Sequence, residues 1–312
     1  MKRRMSNMEK PSRMKRFGNE IVRITKNAGR GVKKLDTTQW IILFFLTLLT
    51  VFMLLPIVYI FNHAFKPLHE LFLFPPTFIV RAPTIQNFVE LMSMTESTFV
   101  PVSRYIFNSV VVTVLTTIAM VITSAFCAYA LSKHKFPGNK LVFETIMVSL
   151  LFVPAVIQIP RYVVVQSIGI MNTYWGHVLP MIAMPVGVFL MKQFIDQVPN
   201  EVMEAAKIDG ASELNMFFRI VIPMVMPAIA TIAIISFQNV WGNVETSQLF
   251  MQDESMKTLP YYMQSLTANL ANSVARQGAA AAGALIMFLP QLIIFLFFQR
   301  KVIATMAHSG IK

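Results

Sequence analysis

Apolar residues in this chain come in long, nearly uncharged runs separated by polar stretches. A helix that crosses a bilayer needs about 20 such residues. Six runs supply them: about Gln39–Phe61, Tyr105–Leu131, Leu141–Ile159, Tyr174–Met191, Ile220–Phe237 and Ala279–Phe298. The pattern predicts an all-α integral membrane protein of six transmembrane helices. Pro56, Pro154, Pro180, Pro185, Pro227 and Pro290 lie in or near these runs. Membrane helices tolerate such breaks where neighbouring helices satisfy the freed backbone groups, so bends are expected. The two longest connections are about 62–104 and 238–278. Within them, Asn87–Met94 and Leu259–Leu270 predict short surface helices.

Composition sharpens the picture. Of 312 residues, 55% are hydrophobic and 13% charged, against about 25% charged in soluble domains. A water-soluble fold could not hide this apolar surface. Cys127 is the single cysteine, so no internal disulfide can form.

The net charge is +12, and twelve of the 27 lysines and arginines fall in residues 1–38. Phe17 is the one aromatic residue among them, which gives bases little to stack on, so nucleic acid is not the expected partner. A basic tail before a span fits cytoplasmic retention and anionic membrane lipid. The tail is too long for a signal peptide, and the run behind it is long enough to span, which predicts an uncleaved anchor. With the N-terminus inside, the inner segments beyond the tail carry nine basic residues and the outer segments six. Both termini are therefore expected in the cytoplasm. The expected layout is a basic tail at 1–38, a six-helix membrane domain at 39–298 and a cytoplasmic tail at 299–312.

Catalytic signatures are scarce. His63, His69, His134, His177 and His308 have no metal-ligand spacing, and neither GxSxG nor GxxxxGK[ST] occurs. No catalytic residue and no metal ligand is expected. Glu144 is the one carboxylate inside an expected span, close enough to its end to reach Lys140 or headgroup water. An ion-coupled transporter would need more intramembrane charge than this.

The segment between spans four and five is the most informative. It runs from Val198 through Pro199, Glu201, Glu204-Ala205-Ala206, Asp209-Gly210-Ala211 and Ser212 to Ile220 and Ile222-Pro223. Pro199 suits a first helical turn. Gly210 can take the left-handed conformation that ends a helix. Asp209 or Ser212 can cap a second helix. Ala205 and Ala206 leave a flat surface for another protein. The segment, about 195–223, reads as a stiff knob on the cytoplasmic side.

These residues resemble the signature of inner-membrane permeases of binding-protein-dependent ABC importers: EAA, three residues, G, nine residues, I, one residue, L-P. Here the series is Glu204-Ala205-Ala206, Gly210, Ile220 and Ile222-Pro223, with Ile for Leu; Asp209 and Ala211 complete the DGA form of the carbohydrate branch. Phe136-Pro137-Gly138, Gly169-Ile170-Met171-Asn172-Thr173 and Phe194 with Pro199 extend the likeness, which covers about 40–312. It is nearest to the MalG-like partner of a two-permease pair. Two departures are Trp241-Gly242-Asn243 for the commoner Trp-Asn, and the ending Ser309-Gly310-Ile311-Lys312.

The resemblance implies a MetI-like permease fold and a coupling role for Glu204, Ala205, Ala206, Asp209, Gly210, Ala211, Ile220 and Pro223. It also implies a MalF-like second permease, two ATPase subunits and an extracytoplasmic solute-binding lipoprotein or periplasmic protein. ATP and Mg would sit on the ATPases, with no cofactor on this chain. A sugar or oligosaccharide is the implied cargo. By position and residue type, Asn108, Gln158, Gln238, Asn239 and Trp241 are candidate sugar contacts; helix–helix hydrogen bonding is the alternative for each.

Overall fold

The computed structural model describes residues 37–75, 77–93, 100–270 and 277–309, with side chains excepted at 267–270 and 300–309. Most of the basic tail therefore lies outside the described residues. The chain divides into two units between Val58 and Tyr59, inside the first helix, α1 (Thr37–Ala64). In the first unit, residues 37–58 are apolar and exposed along their length, with Phe52 at 69%. Such a helix is stable in hydrocarbon, where every backbone bond is made within the segment.

The second unit begins with the end of α1, followed by α2 (Leu68–Leu71) and α3 (Gln86–Ser93). The Asn87 carboxamide donates to the carbonyls of Ala64 at 2.9 Å and Lys66 at 2.8 Å, satisfying acceptors that the end of α1 leaves open. Glu70 is buried and accepts from the backbone N–H groups of Arg81 and Ala82 at 3.2 and 2.9 Å. Burial opposes its ionisation, but these N–H groups outweigh it and hold the carboxyl below its usual value.

The long helix α4 (Val102–Lys133) is central. Its buried residues include Tyr105, Ser109, Val112, Thr116, Met120, Ser124, Ala128 and Leu131, spaced three or four apart. That is one helix face. Its small and hydroxyl-bearing members allow close approach of neighbouring helices. Phe107, Val114 and Ile118 are exposed on the same helix. After a turn come α5 (Asn139–Ser149), α6 (Pro154–Ile168), α7 (Tyr174–Ile182), α8 (Pro185–Ile195), α9 (Asn200–Ile208), α10 (Glu213–Met224, with a π-helical turn at Phe217–Val221), α11 (Met226–Trp241), α12 (Glu245–Phe250), α13 (Leu259–Leu270) and α14 (Gln277–Ser309). Helices α7, α8 and α11 pack on α4, and α14 packs on α11.

Among the described residues three helices, α1, α4 and α14, are long and apolar enough to cross a membrane unbroken. The other three spans are bent pairs: α5 with α6 at 112°, α7 with α8 at 49°, and α10 with α11 at 82°. The continuous third span expected over Leu141–Ile159 is thus broken at 150–153. Pro154, Pro185 and Pro227 each stand in the first turn of the second half, where the missing N–H costs nothing.

The two short helices expected on the surface are partly core: Leu91 of α3 and Leu259, Tyr262 and Met263 of α13 are buried. They pack with Tyr105, Trp241, Ala279 and Ala282 in one apolar cluster. The last helix also runs on to Ser309, past the expected boundary at 298.

Candidate functional site

The knob forms as two short helices joined by a tight turn. Pro199, extended at φ −60° and ψ 137°, leads into α9. Met203 and Ala206 face inward, while Glu201, Glu204, Ala205 and Lys207 are exposed. Gly210 sits at φ +78°. Its N–H donates to the Lys207 carbonyl at 3.1 Å, and that of Ala211 to the Ala206 carbonyl at 2.9 Å. This pair of bonds is a Schellman motif, closed by the left-handed glycine. Asp209 is the C-cap of α9, directly after its last helical residue Ile208. Ser212 caps α10, its hydroxyl accepting from Asn215 N–H at 3.4 Å, which settles the choice between Asp209 and Ser212. A Cβ on Gly210 would meet nothing within 4 Å. A side chain there is disfavoured by backbone conformation, not by contact with the rest of the protein.

The contact that sets the knob's angle went unread in the sequence. One Glu213 oxygen meets Lys207 Nζ at 3.0 Å, and the other accepts from the Tyr129 hydroxyl at 3.0 Å. His134 Nε2 lies 3.7 Å away. The hydrogen bond from Lys207 holds the Glu213 carboxyl below its usual value, against some desolvation, with the Tyr129 hydroxyl assisting. Glu213 thereby clamps α9 to α10 and both to the end of α4. A second tie holds the entry: Lys133 Nζ donates to the Val198 carbonyl at 2.6 Å and to Asn200 Oδ1 at 3.0 Å. Below the clamp, Phe217 stacks on Phe126 at 4.6 Å. Ile220 lies in the π-helical turn, and Pro223 precedes the bend at Val225. Around Glu204 and Ala205, the apolar side chains of Ile208 and Leu214 are 87% and 62% exposed.

The five candidate sugar contacts are not brought together. Asn108 is fully buried; its carboxamide donates to the Ser255 and Lys257 carbonyls at 2.8 Å each and accepts from Tyr174 at 2.8 Å. Trp241 is 5% exposed; its indole N–H donates to the Met287 carbonyl at 3.0 Å, and its ring stacks on Phe237. Gln158 is half-buried on α6, and Gln238 is exposed on α11. Asn239 alone lines a cavity of about 620 Å³, together with Arg161, Asn243 and Glu245. Arg161 and Glu245 form an ion pair at 3.3 Å. Glu144 meets Lys140 at 3.7 Å on an exposed surface, the partner expected for it.

The Gly169–Thr173 segment also takes a definite shape. Asn172 adopts φ +57°, and its N–H donates to the Phe250 carbonyl at 2.9 Å. Its side-chain oxygen accepts from Asp253 N–H at 3.1 Å.

Six apolar crossings, three of them bent, with a capped polar knob between the fourth and fifth, define a multi-pass membrane permease. The family described as "Binding-protein-dependent transport system inner membrane component" matches residues 32–307, and the chain belongs to it. It is a component of the cytoplasmic membrane.

Among its relatives is a probable ABC transporter permease protein, YurM, of Bacillus subtilis, 32% identical over 68% of this chain and 70% of the relative. Another is the melibiose/raffinose/stachyose import permease MelC of the same organism, 33% identical over 66% and 74%. The protein LplC of Bacillus subtilis is 30% identical over 83% and 89%. Among solved structures, a chain of a bacterial ABC transporter that imports the acidic polysaccharide alginate superposes with a TM-score of 0.70 at 19% identity, over 94% of this chain and 99% of that one. At that identity the match speaks for the fold.

Proposed function

We propose that this chain is one of two non-identical permeases of an ATP-driven importer for a sugar or oligosaccharide. The relatives support the cargo class: their names include permeases for arabino-oligosaccharides, melibiose and raffinose, and trehalose. The observation that carries the mechanism is the knob. Its Schellman turn, cap and Glu213 clamp make a rigid projection whose exposed tip is both charged and apolar.

In this reading the knob seats in a cleft on a separate ATPase subunit. Two such subunits hold ATP and Mg, and this chain binds no cofactor. Burying Ile208 and Leu214 in the cleft contributes about 1.5–3 kcal/mol for each side chain. Closure of the ATPases pushes the knob, and the Lys133 and Glu213 ties carry that push into α4. The three bent spans lean between inward- and outward-open arrangements, their populations set by differential partner binding. A MalF-like permease completes the pathway, and an extracytoplasmic solute-binding protein delivers the sugar.

Gly210→Val and Glu204→Lys test this assignment. The first costs about 1–2 kcal/mol of backbone strain in the left-handed region, too little to unfold the bundle. Both variants are expected to reach the membrane at normal abundance yet lose co-purifying ATPase and sugar uptake together. Full uptake with normal ATPase recovery in both would remove the knob as the coupling element.

A further inference from the structure

Two helix breaks meet at one cavity. Ser149 and Pro154 flank the break in the third span, Ala183 to Pro185 make the break in the fourth, and Asn239 stands near the end of α11. Irregular backbone at membrane depth is tolerated where it is buried in protein or lines a water-filled cavity. The side chains here are suited to a ligand. Arg161 and Glu245 are each about one-fifth exposed, at 20% and 21%.

Apart from its ion pair with Glu245, the Arg161 guanidinium has no hydrogen-bond acceptor among the described residues. The Asn239 carboxamide is exposed and likewise bonded to no described residue. Asn243 accepts through its oxygen from Thr246 at 3.0 and 2.8 Å, and its amide N–H groups have no described acceptor. Glu245 Oε1 is buried with no hydrogen-bond partner among the described residues, and a buried acceptor is costly unless something donates to it.

The charge balance says what fits. Arg161 and Glu245 are the charged residues of the lining, one of each sign. The wall as a whole is neutral, yet it presents donors and acceptors side by side between apolar stretches at Ile157, Met181 and Ile235. A neutral polyol uses both kinds of group on each hydroxyl and has C–H faces for the apolar wall. A carboxylate-bearing sugar would need cations left unmatched, and there are none.

We propose that this cavity is the chain's own contribution to the sugar path and holds uncharged sugar units through Arg161, Glu245 and Asn239. This rests on the carbohydrate importer reading above. It places the contact at α6, α11 and α12, away from Asn108 and Trp241.

The test uses the whole importer in proteoliposomes: this chain, its partner permease, the ATPases and the loaded binding protein. The probes are raffinose, arabinotriose, trehalose and, as an acidic comparison, a mannuronate trisaccharide. Sugar moved per ATP hydrolysed is the readout. For Arg161→Gln, Glu245→Gln and Asn239→Ala it is expected to fall about ten-fold, the scale of one lost hydrogen-bonded contact. ATP hydrolysis stimulated by the loaded binding protein should stay near that of the parent, because the knob is untouched. The exchange Arg161→Glu with Glu245→Arg restores the ion pair and membrane abundance but not the ratio.

An unchanged ratio in the single variants overturns the proposal, as does full rescue by the exchange, which would make the pair a purely structural latch. Loss of ATP hydrolysis in step with uptake does the same, and so does transport of the mannuronate sugar by the parent. Failure of every probe with the parent complex, while ATPase coupling to the knob persists, counts against the carbohydrate reading itself.

Discussion

Glu213 holds three groups with one carboxylate, and two of them lie far away in sequence. Its ion pair with Lys207 is about half exposed, where such pairs are worth about 0.2–1 kcal/mol. Glu213→Gln should therefore leave membrane abundance unchanged and act on geometry: the angle between α9 and α10 loosens, and ATPase recovery falls several-fold. Tyr129→Phe should give a similar loss. If the clamp is one unit, the double variant should be no worse than either single.

A depressed carboxyl pKa contributes stability that is complete above the unfolded value and lost as pH falls through the folded one. Attachment of the ATPase to the parent should thus hold at neutral and mildly acidic pH. The clamp's share should fail only below the ordinary carboxylate range near about 4.3. Pull-downs across that range, with Glu213→Gln as the pH-insensitive control, decide it.

At this scale the sequence was partly legible. Gly210 and Ser212 announce a turn and a cap within a few residues. Glu213 reads only as an acid in a first turn, because Tyr129 is 84 positions upstream, and spacing in the chain does not show it.

Among the elements, proline marks the limits of what periodicity can tell. Pro56, Pro160, Pro180 and Pro290 all lie inside helices that continue. Pro154, Pro185 and Pro227 open new ones. The local chemistry is the same in both groups. A proline inside a helix costs about 3 kcal/mol or more, and whether neighbours offset that is decided by packing across the bundle. The six apolar runs were legible because lipid demands them; the three bends were not.

The joint where α1, α3 and α14 meet gives a sharper test. A Cβ on Gly278 would overlap the Asn87 carboxamide, which caps the end of α1. Gly278→Ala should displace Asn87 and leave buried carbonyls unpaired, at about 1–3 kcal/mol. Lower thermal stability in detergent, with the additional change Asn87→Ala adding little further loss, is the expected outcome. Independent, additive losses would show that the two residues are not in contact.

For the whole molecule, the lysine and arginine distribution predicts both termini inside. Reporters active only in the cytoplasm should work when fused after residues 138 and 205, and fail after 90 and 255. The reverse pattern would invert the knob and remove its access to any ATPase. The fold class was legible from apolar runs and charge, and the knob from its motif. The cavity was not, because Arg161 and Glu245 fall in segments that hydropathy assigns to outer loops, and only the bent third span and α12 bring them to one wall.

The order in which the knob's contacts arise along the chain has a further consequence. Val198, Asn200, Lys207, Gly210 and Glu213 close on one another or on Lys133 and Tyr129, which precede them. Everything named in the clamp has left the ribosome before Phe217 does. The proposed docking surface can therefore be finished while the last two crossings are still unmade, since chains fold from the N-terminal side during synthesis. A nascent permease that already displays a shaped knob can meet the proposed ATPase early, and assembly of the importer need not wait for termination.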